Sequence, residues 1–129
     1  GTVDVIATDH APHSRDEKSK GLEGSAMGIV GLETAFAVLN TKLVKTGIIT
    51  LERLIEMMSV RPREIFGFGG GRIEVGAPAD LALIDIDREW TVDPERFVTM
   101  GRATPFEGRR VQGENLMTLL RGEIVYEAI

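Results

Sequence analysis

Val3-Asp4-Val5-Ile6-Ala7-Thr8, running straight into Asp9-His10-Ala11-Pro12-His13, is the stretch on which the fold turns. Its first six residues are β-branched and mostly apolar, the make-up of a buried parallel strand. Pro12 disfavours regular structure in the residue before it, so the strand is expected to give way to a loop at Asp9. An aspartate at the C-terminal end of a parallel strand, followed by a His-rich loop, stands where α/β barrels set catalytic groups. Asp9 can ligate a divalent metal, or take and give a proton. His10 and His13 can ligate a metal or bind an anionic group. The plainer alternative is that Asp9 caps the loop and both imidazoles lie on the surface. A chain that opens in such a strand is expected to lack sequence upstream of it.

Working outward, Ser14 to Ser25 is polar and charged and contains Gly21 and Gly24. It reads as a loop of about a dozen residues, a length that is usually functional or mobile. Gly21, Gly24, Gly28 and Gly31 suit a backbone clamp for a small polar substrate, or simple turns. The order Gly-x-Gly-x-x-Gly and a Gly-Lys-Ser/Thr are both absent, so a nucleotide motif is not indicated. From Gly28 to Lys45 the pattern turns helical, with Leu32, Phe36, Leu39 and Leu43 as the inward stripe. Gly47 is placed to end that helix, and Thr50 to cap a second one bearing Leu51, Leu54, Ile55 and Met58. Pro62 suits the first turn of a third, through Ile65 and Phe66.

Gly67-Phe68-Gly69-Gly70-Gly71 breaks the pattern, and the period changes to two. Arg72 to Val75, Ala79 to Val92 and two runs between Leu116 and Ile129, joined at Arg121-Gly122, read as strands. Gly76-Ala77-Pro78 reads as a turn, and residues 93–113 as irregular, with a helical turn after Pro94. The front is therefore helical behind one strand and the back β-rich, giving an organisation of residues 1–68 and 69–129. No internal repeat is visible.

Composition removes several classes of function. Of 129 residues, 20 are acidic and 15 basic, for a net charge of −5, and the longest basic run is Arg109-Arg110. Nucleic-acid binding is not indicated. There is no cysteine, so neither disulfides nor thiolate metal sites are available. Apolar stretches are too short to span a bilayer, and the opening Gly1-Thr2-Val3-Asp4 has no basic or apolar leader character. A cytoplasmic protein is expected. A catalytic zinc usually takes three protein ligands and an open position. Asp9, His10 and His13, without a His-x-His or His-Glu-x-x-His, are not expected to make a self-contained metal centre.

One order of motifs runs through the chain: Ile6-Ala7-Thr8-Asp9-His10-Ala11-Pro12-His13, Glu17-Lys18, Met27-Gly28-Ile29-Val30-Gly31-Leu32-Glu33-Thr34-Ala35, Pro62-Arg63-Glu64-Ile65-Phe66-Gly67, Gly71-Arg72-Ile73-Glu74-Val75-Gly76-Ala77-Pro78-Ala79-Asp80 and Thr104-Pro105-Phe106-Glu107-Gly108. This order resembles the C-terminal part of the bacterial dihydroorotases of the amidohydrolase superfamily. The resemblance implies an α/β fold, the last strand and helices of a TIM-barrel metal-dependent hydrolase followed by strands of a small β-sandwich. It implies reversible cyclisation of N-carbamoyl-L-aspartate to dihydroorotate in pyrimidine biosynthesis, with one or two zinc ions. By the resemblance, Asp9 matches the strand-eight aspartate, a metal contact that shuttles a proton to the leaving amide nitrogen. His13 matches the histidine holding the substrate carboxylate, and Met27 and Gly28 match a pair lining the substrate through backbone groups.

The other metal and substrate ligands of that family lie upstream and are absent here, so the chain alone is expected to be inactive and to expose apolar faces. The small-molecule substrate is the expected partner, with no nucleic acid or membrane, and a homodimer or a carbamoyltransferase complex as the assemblies the family implies. Two other readings stay open: a non-catalytic scaffold for a carbamoyltransferase, against which Asp9 and His13 argue, and another cyclic amidohydrolase such as a hydantoinase or allantoinase.

Overall fold

The computed structural model of the chain describes residues 2–128; Gly1 and Ile129, the outer ends of the two expected segments, lie outside the described residues. The alternating runs at the back of the chain do form a sheet. Strands β1 (Leu81–Thr91), β2 (Arg110–Leu120) and β3 (Glu123–Glu127) pair antiparallel in the order β1-β2-β3. The turn between β2 and β3 falls at Arg121-Gly122, as the sequence indicates. Both residues have positive φ, 51° and 86°, the requirement of a two-residue turn that matches strand twist. The Arg121 N–H donates to Asp80 Oδ1 at 2.7 Å, which helps hold the non-glycine residue there. The helical turn after Pro94 is a 3-10 turn, Pro94–Arg96.

The helical front contains α1 (Arg15–Lys18), α2 (Gly21–Gly24), α3 (Ala35–Leu39), α4 (Leu51–Ile55) and α5 (Arg61–Phe66). A π-helical segment, Asn40–Val44, continues α3, and another, Glu56–Val60, joins α4 to α5. The second and third expected helices are thus one continuous element from Leu51 to Phe66. Thr50 caps it, its hydroxyl accepting from the Arg53 N–H at 3.2 Å. Gly67 ends it at φ 68°, a left-handed conformation that glycine adopts without strain. The expected loop from Ser14 to Ser25 is partly wound into α1 and α2.

Four expectations need correction. Val3 to Thr8 is not a buried strand: among the described residues it joins no sheet, and its side chains are exposed or half-exposed. A parallel strand exists only through flanking strands, and here Ile6 N–H instead donates to the helical Met57 C=O at 3.1 Å. Arg72 to Val75 does not pair either. Ile73 and Val75 stand almost wholly in solvent, and the backbone turns at Glu74 to Ala77. Residues 93–113 are less irregular than expected, since Arg110 to Gly113 belong to β2. Finally, the apolar stripe is only partly withdrawn from water: Phe36, Leu39 and Leu43 are half-buried, and the most deeply buried residues of the segment lie beside them. Thr34, Ala37 and Asn40 are buried, while Leu32 is 63% exposed.

The reason lies in the sheet. Asp85 pairs with Glu114 and Glu89 with Gln112, so three residues of β1 bulge out opposite Gly113 alone. The bulge takes the Ile86 carbonyl out of the regular ladder, and the π-helical continuation of α3 approaches closely enough to repair this. Asn40 Nδ2 donates to both Ile86 C=O and Gln112 C=O at 2.9 Å, and Thr41 Oγ1 accepts from Gln112 N–H at 2.7 Å. Only glycine fits opposite: a methyl on Gly113 would stand 2.8 Å from the Phe36 ring. Val30, Ala37, Val92, Phe97 and Val111 make the buried core, with Val38, Trp90 and Phe106 packed against it. Helix and sheet residues share that core, which positions the loop described next. Among the described residues, no helix is long and apolar enough to cross a membrane.

Candidate active site

Asp9 has φ 47°, a left-handed backbone that costs a residue bearing a Cβ about 1–2 kcal/mol. Such strain gathers at functional sites. Its carboxylate is exposed and accepts no hydrogen bond among the described residues. Beyond it, His10 bridges in parallel to Ile29, and Ala11 N–H donates to Ile29 C=O at 2.9 Å. The His10–His13 loop and the Met27–Ile29 segment are thereby laid side by side.

His10 holds the base of this pair. Its Nδ1 accepts from Gly31 N–H at 3.1 Å and Leu32 N–H at 3.3 Å. An accepting Nδ1 assigns the proton of the neutral ring to Nε2, so neither nitrogen offers a free lone pair to a metal. His13 stands elsewhere. Its Nδ1 lies 3.8 Å from Glu17 Oε2, and a methyl built on Gly28 would meet its Cδ2 at 3.5 Å. The same methyl would fall 2.5 Å from Ala11 Cβ, and Gly28 has φ 125°; this position requires glycine. Met27 extends its side chain into solvent, 85% exposed.

The structure therefore brings His13 and Gly28 together. No hydrogen bond or ion pair among the described residues joins Asp9 to His13, Met27 or Gly28. A cavity of about 600 Å³ between α3 and the sheet is walled in part by His10, Glu33 and Trp90, but by none of Asp9, His13, Met27 and Gly28.

Three residues quoted in the motifs without a role prove to hold the site. Glu17 closes a capping box with Ser14, accepting from its N–H and hydroxyl at 2.8 Å. Those bonds, first the one from the Ser14 N–H, hold the exposed Glu17 carboxyl below its ordinary value, with smaller help from His13 and Lys20. Lys18 Nζ donates to Ala26 C=O at 2.8 Å and Gly28 C=O at 2.9 Å. Glu33 accepts from Val98 N–H at 2.8 Å and Thr99 N–H at 3.0 Å. That bond pair straps down a loop whose Gly101 packs against Pro12 and Val30, where a methyl would come within 2.9 Å. The signal for all three was their place within the quoted motifs.

The donor set decides what metal the chain can hold. Among the described residues, no group of three His, Cys, Asp or Glu side chains could hold an ion. Asp9 is one carboxylate, His10 is engaged, and zinc ordinarily takes three protein ligands. These residues do not by themselves make a zinc site.

A strained aspartate at the head of a loop stitched to a glycine-bearing segment is an arrangement with relatives. Residues 1–125 match the amidohydrolase family, and the chain belongs to that family. Within it, the chain is 51% identical over 127 residues to the dihydroorotase of Bacillus caldolyticus, covering 98% of this chain and 30% of that one. It is 50% identical over 129 residues to the dihydroorotase of Brevibacillus brevis, covering all of this chain and 30% of the relative. The chain thus spans about a third of the curated relatives it matches, in their C-terminal portion. Among solved structures, the L-hydantoinase (dihydropyrimidinase) from Arthrobacter aurescens superposes with a TM-score of 0.88 at 34% identity, over 98% of this chain and 29% of that one. A D-hydantoinase from Thermus sp. superposes equally well, TM-score 0.88, at 25% identity, over 98% of this chain and 29% of that one.

Proposed function

We propose that this chain is the C-terminal portion of a dihydroorotase, which interconverts dihydroorotate and N-carbamoyl-L-aspartate. The observation that carries the reading is the pairing of His13 with the Gly28 segment behind a strained, unpartnered Asp9. The 51% identity to a dihydroorotase, against 34% to the hydantoinase, favours this substrate over a hydantoin. In this reading residues 1–68 supply the last barrel strand, its active-site loop and helices, and residues 69–129 supply strands of a β-sandwich. Val3 to Thr8 would gain its strand pairing from the rest of the barrel.

Asp9 is the proton carrier. Its exposed carboxylate takes a proton from the attacking water and returns it to the ring nitrogen as the cyclic amide bond opens; ring closure runs the transfer backwards. The scissile carbonyl carbon gains the water oxygen and becomes a carboxylic acid, and the nitrogen leaves as the neutral NH2 of the carbamoyl group. His13 donates to the substrate carboxylate, while the backbone of Met27 and Gly28 lines the ring. Zinc is the proposed metal, with Asp9 its one ligand from this chain and the others outside these 129 residues.

The test uses the full-length gene product. His13→Ala should raise KM for dihydroorotate by about 10- to 150-fold, the worth of a hydrogen bond to a charged group, and leave metal content alone. Metal loss with unchanged KM in the remaining active fraction would make His13 a ligand instead. Equal kcat/KM on hydantoin and on dihydroorotate in the unmodified enzyme would remove the carboxylate from the account.

A further inference from the structure

Lys18 is the last residue of α1 and is half-buried among polar backbone groups, where a charged side chain needs partners. Two of the three N–H donors of its ammonium are taken by carbonyls two residues apart, Ala26 and Gly28. The surrounding backbone is sewn to the same place. Ser25 Oγ donates to Lys18 C=O at 2.8 Å, and Ala26 N–H donates to Glu17 C=O at 3.0 Å. Between these bonds, the N–H groups of Met27 and Gly28 have no acceptor among the described residues. Carbonyls are thus drawn to one side by the ammonium, and amide donors are left free.

We propose that Lys18 is a positioning residue: its ammonium fixes the backbone from Ala26 to Gly28 so that the free amides of Met27 and Gly28 face an anionic or carbonyl oxygen of the substrate. The inference rests on the dihydroorotase reading for the identity of that substrate. Two physical effects act together. The charge holds the segment in register against the His13 loop, where Gly28 already meets Ala11. It also polarises the Ala26–Met27 peptide, because linked hydrogen bonds strengthen one another, and so makes Met27 N–H a better donor. Lys18 itself acts at a distance, through backbone it does not share.

The experiment compares Lys18→Met, which keeps the stem and removes the charge, with Lys18→Arg in the full-length gene product. Lys18→Met should raise KM for dihydroorotate about tenfold, with kcat within about threefold, and Lys18→Arg should restore much of the loss. The amide resonances of Met27 and Ile29, which lie on the two peptides whose carbonyls Lys18 bonds, should shift in Lys18→Met and return toward normal in Lys18→Arg. An unchanged KM overturns the proposal, whether or not the melting temperature falls. So does a loss of kcat at constant KM, which would put Lys18 in the chemistry. Should the unmodified enzyme fail to turn over dihydroorotate, the substrate reading falls by itself. The amide resonances then decide for Lys18: shifted, it positions this backbone; unmoved, it does not.

Discussion

The helix–sheet core and the loop bearing Asp9 and His13 are fastened by opposite means. Around Ala37, Val92, Phe97 and Val111, apolar side chains are withdrawn from water, each fully buried valine or phenylalanine worth roughly 1.5–3 kcal/mol. From Asp9 to Ile29 no residue is buried. That loop is held by directed bonds instead: Lys18 to two carbonyls, His10 from two amides, Ser14 with Glu17. Burial is non-directional and decides only that elements meet. Hydrogen bonds decide where single backbone atoms point. A loop that must present particular groups to a substrate needs the second kind of fastening, and losing one of its bonds should cost function before stability.

The sharpest way to break this comparison is at Asp9. Asp9→Asn in the full-length product should lower kcat about 10²- to 10⁴-fold, with a smaller change in KM. The urea midpoint should hold, since asparagine tolerates positive φ. Unfolding in step with lost turnover would show that the loop is structural.

Asn40 tests the other side. Asn40→Ala strips the donor from the Ile86 and Gln112 carbonyls, at about 1–3 kcal/mol for each buried group left unpaired. The loss should appear in urea denaturation of the chain. An unchanged midpoint would mean that water replaces the amide and that the helix is not keyed to the bulge.

Two glycines make a matched pair. Gly113→Ala drives a methyl to 2.8 Å from the Phe36 ring inside the core, and overpacking there costs about 1–3 kcal/mol. Gly28→Ala meets Ala11 Cβ at 2.5 Å, but outside the apolar core, where the displaced groups are held by hydrogen bonds rather than by burial. It should cost less stability than Gly113→Ala and raise KM more. Equal losses of stability would erase the distinction between the regions.

The smallest expected effect is in acid. The Glu17 carboxyl is lowered in the folded chain, so its capping of α1 is fully present above the unfolded value and is lost only as pH falls through the lower, folded one. The Ser14 amide resonance should therefore titrate with a midpoint below 4.5, the value of an unperturbed glutamate. A midpoint at or above 4.5 would show that the capping box does not form in solution.

Much of the sheet was legible because its cues are local. Period-two alternation marks Leu81 to Thr91, and Arg121-Gly122 marks the turn; Thr50 and Gly67 likewise announce their helix ends. Val3 to Thr8 and Arg72 to Val75 carry the same β-like pattern and form no ladder here, because a strand is a relation between two segments and pattern describes one. The most deeply buried residues beside the apolar stripe were hidden for a related reason. Leu32, Phe36, Leu39 and Leu43 are the more apolar stripe, yet the bulge in β1 needs a donor that Asn40 has and leucine lacks. At the site, Asp9, His13, Met27 and Gly28 stood out by residue type and by resemblance. The geometry that unites His13 with Gly28, and the bonds of Lys18 and Glu33, could not be read from spacing.

Chemical identity is written in the chain: a carboxylate and an imidazole four residues apart, glycine where backbones touch, no thiol, and motifs that carry the amidohydrolase family. Arrangement is not. Whether a lysine ammonium reaches water or two carbonyls, and whether an asparagine or a leucine turns inward, depends on what long-range folding places opposite it. Those partners lie tens of residues away, as Asn40 does from Ile86 and Glu33 from Val98. Only the folded chain brings these donors and acceptors within reach of one another.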